Sequence, residues 1–202
     1  MDKKIYFAHA INTYGTDIEK AAEQLISHVL CGGDRGQIEN PNTPIHQKGY
    51  TEYAKRAEQA DKNHGGMNYF FDLVLPKCGG CVTMPFLDGK FGLGVAGEAL
   101  WFADRGKTVW LMEPTRDVDD ITHENLELFI AGPISSGLFR IRPFSIAQLG
   151  MLRVEKEAVS SLALTHEETR LRTWLVYGKA MRPYENAHLV SLPIPEGFYP
   201  GN

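Results

Sequence analysis

Cysteine is scarce in this chain, with three in 202 residues. That is too few for the disulfide framework of a small secreted domain and too few for a four-cysteine zinc site. No apolar run approaches the roughly 20 residues that a membrane-spanning helix requires. An excess of charge of one sign is missing as well: 21 Lys and Arg against 25 Asp and Glu leave a formal charge of −4. Such a balance gives no general attraction to a nucleic acid polymer or to an anionic membrane. Internal repeats, low-complexity tracts and an obvious linker are also absent, which excludes solenoid architectures. The opening MDKKIYFAHAINTYG has an apolar stretch that is short and broken by His9 and Asn12, so it reads as a strand and not as a signal peptide. The expected compartment is the cytoplasm.

What is present has the composition of a globular protein, 43% hydrophobic and 23% charged. The length suits one domain spanning 1–202, with an α/β core over 1–144 and a helical C-terminal extension over 145–202. KIYFAHA (4–10), CVTMPF (81–86) and KTVWLME (107–113) are compact apolar runs expected as strands, with LFRIRPF (138–144) a fourth. TDIEKAAEQLISHVL (16–30) sets Ile18, Ala21, Ala22, Leu25, Ile26 and Val29 on one helical stripe, with Thr16 and Glu19 as a capping box. Gln37 to Gly49 carries two prolines and is expected as a loop holding at most one short strand. Helical patterns follow in 50–63, 67–77 and 98–106, and again in 145–159 and 165–181. SLPIPEGFYPGN is expected to run extended over the surface. The alternation of short apolar strands with helices implies a mainly parallel sheet covered on both faces.

Gly92-Leu93-Gly94-Val95-Ala96-Gly97 matches the GxGxxG dinucleotide pattern, and Glu113 follows about 20 residues on, where a ribose-binding carboxylate belongs. Two features oppose that reading. Leu87 to Phe91 separate the glycines from the strand tip, whereas a dinucleotide fingerprint starts there. Glu98 also stands directly behind the third glycine, expected in the first helical turn, where it would compete with a pyrophosphate for the same N–H groups. The alternative makes Glu98 the functional group. Glycines such as Gly94 let a ligand approach the backbone closely, and the helix N-terminus is expected to keep the carboxylate ionised as a nucleophile. A carboxylate that merely complements the helix dipole is the plain structural alternative.

Other patterns carry less chemistry. Cys78-Gly79-Gly80-Cys81 runs into a strand instead of opening a helix, unlike a thioredoxin motif, and His46, His64 and His123 lack metal-ligand spacing. No metal or cofactor is expected. Phe70-Phe71 and Trp101-Phe102 read as core aromatics. Arg140 and Arg142 share one strand face and read as a solvated edge, or less commonly as a phosphate contact. Asn12-Thr13-Tyr14-Gly15-Thr16 follows the first strand. It reads as an ordinary turn with a capping threonine, or as a site for a sugar hydroxyl or 5′-phosphate through hydroxyls and helix N–H groups. His9 beside it could face a pocket, but a satisfied, partly buried histidine is the better reading.

Three segments, in order and approximate spacing, resemble the nucleoside 2-deoxyribosyltransferase family. Lys4-Ile5-Tyr6-Phe7 is similar to the family's opening strand with its active-site tyrosine. Asp72-Leu73, ending MNYFFDL, is similar to the segment carrying a substrate-facing aspartate. GVAGEALWFADRGKTVWL (94–111) is similar to the Gly-rich turn, nucleophilic glutamate, helix, Gly-Lys and following strand. The resemblance covers roughly residues 4 to 113. It implies a flavodoxin-like, doubly wound fold and cleavage of the N-glycosidic bond of a (deoxy)nucleoside or nucleotide. In that chemistry Glu98 attacks the anomeric carbon, Tyr6 hydrogen-bonds the carboxylate, and Asp72 binds or protonates the departing base. Where the family carries an aspartate six residues before the nucleophile, this chain has Gly92, and Asp88 is the candidate substitute. The resemblance implies no cofactor, a small-molecule nucleoside or nucleotide with an acceptor base as partners, and a homo-oligomer. Two alternatives stand beside transfer: a nucleoside 5′-monophosphate N-glycosidase that uses water, and a non-catalytic nucleotide sensor.

Overall fold

The computed structural model describes residues 4–59, 65–85, 91–115 and 139–160. The chain forms an α/β structure on one five-stranded sheet of order β2-β1-β3-β4-β5. The strands are β1 (Ile5–Ala8), β2 (Ile38–Glu39), β3 (Gly80–Thr83), β4 (Thr108–Pro114) and β5 (Phe139–Pro143). The first four are parallel, and β5 runs antiparallel along β4 with Glu113 opposite Arg140. Among the described residues no helix is long and apolar enough to cross a membrane.

Because successive strand side chains point to opposite faces, each strand feeds two cores. Phe7, Val82, Met112 and Phe139 meet α1 (Asp17–Leu30) through Ile18, Ala21, Ala22, Leu25 and Ile26. That is the stripe expected from the sequence, except that Val29 stands half exposed. Thr16 caps α1 as expected, its hydroxyl accepting from Glu19 N. On the other face, Tyr6, Ala8, Cys81, Val109 and Leu111 pack against Phe70, Val95, Ala99, Phe102 and Leu152. The last four lie on α4 (Leu93–Ala103) and α5 (Ile146–Ser160). Each buried Leu, Ile or Phe contributes about 1.5–3 kcal/mol by leaving water, so both faces are well anchored.

Between β2 and β3 the chain differs from the sequence reading. Helix α2 spans Pro44–Gln59, starting well before the expected position because Pro44 occupies a first-turn site where its missing N–H costs nothing. Then α3 (Gly65–Tyr69) leads into a π-helical turn, Phe70–Val74, and a short 3-10 turn, Leu75–Lys77. α2 and α3 touch at Gly65, where an added Cβ would stand 1.9 Å from that of Ala57. The expected helix over 165–181 and the extended tail after it lie outside the described residues.

Candidate active site

Tyr6 is the second residue of β1 and turns its ring to the α4 face, opposite Cys81 on β3. There its hydroxyl donates to Glu98 Oε1 at 2.6 Å. Helix α4 begins at Leu93 with Gly92 as its N-cap, so Glu98 lies in the second turn, aimed at the sheet. This corrects the expectation of a first-turn carboxylate at the helix mouth. Gly94 and Gly97 are therefore helical, not a loop. A Cβ on Gly94 would meet Met67 at 3.5 Å, and one on Gly97 would meet Phe71 at 3.5 Å and Lys156 at 3.4 Å. The glycines thus let α3, the π-turn and α5 close around this part of α4.

The correction extends to charge. Glu98 is 5% exposed, and burial pushes its carboxyl up to about 8, against the downward pull of the Tyr6 hydrogen bond. The helix dipole fades within the first turn, so desolvation governs. Oε2 has no hydrogen-bond partner among the described residues. The Tyr6 phenol is itself raised well above its ordinary value, first by burial and then by Glu98, so it remains a donor. Tyr14, buried in the turn after β1, is raised by burial and then by the charges of Glu98 and Glu19, with Tyr50 contributing last. Tyr14 thus lies within electrostatic reach of both Glu98 and Glu19.

The other expected site residues divide. Asp72 lies in the π-turn, a form of helix frequent at functional sites. It is exposed, and no hydrogen bond joins it to Tyr6 or Glu98 among the described residues. His9 is buried, with Nδ1 3.0 Å from Phe7 O and Nε2 2.9 Å from Glu19 Oε1, so both ring nitrogens face chain partners. The Thr13 hydroxyl donates to Ala10 O at 2.6 Å. Asn12 belongs to the short 3-10 turn Ile11–Thr13. Asp88 lies outside the described residues.

Glu113 is not free to hold a ribose. Arg140 Nε donates to its Oε1 at 2.7 Å, and Arg142 donates to Oε1 at 2.9 Å and to Oε2 at 3.3 Å. These arginines bind a buried carboxylate instead of forming a solvated edge. Cys78 and Cys81 are buried free thiols, and burial raises Cys78 to about 11, which removes the thiolate that redox chemistry needs. Among the described residues no group of three or more His, Cys, Asp or Glu could hold a metal ion. Sequence reasoning missed His46, which joins Glu39 Oε1 at 2.6 Å and Tyr69 Oη at 3.0 Å, while Lys4 pairs with Glu39 at 2.8 Å. It also missed the role of Asn40 and Asn42, both bonded to Glu19. Nothing in their spacing marks either group, since each is assembled from separate elements.

No protein-family model matches the chain, nor does any curated protein or solved structure. The chemistry of the site therefore rests on its own atoms.

Proposed function

We propose that the chain cleaves the N-glycosidic bond of a 2′-deoxynucleoside or nucleotide through a covalent glycosyl-Glu98 intermediate and passes the sugar to another base. The observation that carries this reading is the buried Tyr6–Glu98 pair, with one carboxylate oxygen held by a phenol and the other without a hydrogen-bond partner among the described residues. An N-glycosidic bond breaks with positive charge growing on the sugar. A carboxylate in a desolvated site stabilises that charge strongly and can capture the anomeric carbon, as in retaining glycosidases. Near neutral pH the free site holds Glu98 largely as the acid, so it must lose its proton before attack. A ligand whose sugar gains positive charge favours that loss. Tyr6 fixes the carboxylate's orientation throughout. Asp72, exposed beside Phe71, is assigned to the departing base on the family likeness alone.

The same likeness leads us to read the fold as flavodoxin-like and doubly wound. The strand order is that of flavodoxin-type sheets, although there the fifth strand is parallel and here it is reversed.

The test is incubation with deoxynucleosides and their monophosphates, with and without an acceptor base. Base exchange is expected, and it should disappear in Glu98→Gln, whose amide is a poor nucleophile. Release of base without exchange would make the enzyme a hydrolase, and binding without either would make it a sensor. Full turnover by folded Glu98→Gln would remove Glu98 from the mechanism.

A further inference from the structure

A helix N-terminus beside a glycine turn is a ready anion site, and the turn after β1 has that form. The backbone donors of residues 13–16, however, are used within the chain. Thr13 N donates to Ala10 O, Tyr14 N to Ile11 O and Thr16 N to Thr13 O, at 2.9, 3.0 and 3.1 Å. The Thr13 hydroxyl donates to Ala10 O and the Thr16 hydroxyl to Thr13 O. The remaining N–H in this run, that of Gly15, donates to Glu19 Oε2 at 2.5 Å, made possible by the glycine's φ of +73°. In a capping box this glutamate would reach the cap residue's own N–H, but Thr16 N is engaged, so it reaches one residue further back.

Glu19 does more than close the turn. It is 5% exposed and also accepts from His9 Nε2 at 2.9 Å, Asn40 Nδ2 at 3.0 Å and Asn42 Nδ2 at 2.9 Å. One carboxylate thus joins the exit of β1, the turn, the start of α1 and the exit of β2. It takes up the Gly15 N–H that an anion at this turn would otherwise use. Burial opposes its charge, but the His9, Asn40 and Gly15 hydrogen bonds outweigh this and hold its carboxyl below the usual range.

We propose that Glu19 is a specificity-determining residue that closes the β1–α1 turn to anions, so that the ligand of the Glu98 site is a neutral nucleoside and not its 5′-monophosphate. The turn follows directly on the strand that carries Tyr6, and its Tyr14 feels the charges of both Glu98 and Glu19, which brings the turn near enough for a ligand seated on Glu98 to meet it. This deepens the glycosidic reading above and rests on it.

The experiment follows backbone amide shifts of the full chain during titration with the four common 2′-deoxynucleosides, their 5′-monophosphates and inorganic phosphate. Nucleosides are expected to bind at least about tenfold more tightly than their monophosphates, since juxtaposed like charges are strongly disfavoured. Inorganic phosphate should leave the amides of Tyr14, Gly15 and Thr16 unmoved. In Glu19→Gln the nucleoside preference should fall toward parity, and a folded variant that keeps the full preference would overturn the assignment. Should that variant not fold, the wild-type titrations decide alone. Monophosphates binding as tightly as nucleosides, or saturable phosphate shifts in the turn, would defeat the proposal and leave the glycosidic chemistry standing. If none of the nucleosides or nucleotides binds, the glycosidic reading falls, and this proposal with it.

Discussion

Glu98 and Glu113 are almost equally hidden, at 5% and 2% exposure, yet their surroundings have opposite logic. Glu113 lies between two strands that bring Arg140 and Arg142 to it, and those hydrogen bonds hold its carboxyl below the ordinary range in spite of burial. Among the described residues Glu98 meets one phenol, and burial drives its carboxyl up to about 8. Burying a charge is costly unless partners compensate for the lost water. At Glu113 the compensation is complete, and the residue fastens the antiparallel strand to the sheet. At Glu98 the described residues leave it incomplete, which folding alone gives no reason to retain. Incomplete compensation is what a functional carboxylate would show, which supports the role proposed for Glu98, and Glu19, with four donors, belongs with Glu113.

The strongest way to break this comparison uses stability. Glu98 has a folded value near 8 against an ordinary 4.5, so the unfolded chain releases this proton first as pH rises. The group's contribution is full below pH 4.5, declines from there to about 8 and stays lost above. Glu98→Gln cannot ionise and avoids that loss. It should be more stable than the parent by several kcal/mol at about pH 9, with the difference shrinking toward pH 4.5, measured by urea unfolding across pH. A variant no more stable at high pH would place Glu98 with the compensated carboxylates.

Glu113→Gln should show the reverse sign and a smaller effect. It leaves two arginines facing a neutral amide at the β4–β5 ladder, and breaking a buried pair by removing one member destabilises strongly. Because Arg140 is largely exposed, a loss of about 2–4 kcal/mol at pH 7 is expected. Glu113's value is depressed, so its contribution is present above 4.5 and disappears as pH falls through the folded value. The gap between parent and variant should therefore narrow on acidification, and a gap that widens would contradict the clamp.

Much of this frame is readable in the order of residues. The four expected strands and α1 stand within a few residues of their positions, because short apolar runs and a 3.6-residue stripe are local signals. α2 was obscured because Asn-Pro-Asn-Thr-Pro reads as a loop, although Thr43 and Pro44 form a helix start. The start of α4 was misplaced for a related reason: Gly94 and Gly97 disfavour helix, and contact with Met67, Phe71 and Lys156 overrides that preference. Tyr6 and Glu98 were paired by family likeness, since 92 residues separate them and no periodicity links them. The state of Glu98 was misread because its position along the helix sets the dipole's reach, while burial, a tertiary property, sets the carboxyl. Glu19 was legible as a cap but not as a hub, for its other partners arrive from the exits of β1 and β2.

The finest test concerns the phenol. Tyr6→Phe keeps the ring that packs near Phe70 and Phe102 but deletes the donor to Glu98. At neutral pH the carboxyl left behind is mainly the acid, so no bare charge is stranded, and a stability loss of about 1 kcal/mol is expected. Its effect on ionisation is more telling. The hydrogen bond favours the charged form and lowers the Glu98 value, so removing it should move that value above about 8. If Glu98 must ionise to act, the rising limb of kcat/KM with pH should shift to higher pH in the variant, with alkaline conditions recovering part of the lost rate. An unmoved limb would show that Tyr6 does not set the ionisation of Glu98. A limb moved toward acid would mean that burial there is weaker than the packing around α4 implies, and the contrast with Glu113 would lose its basis.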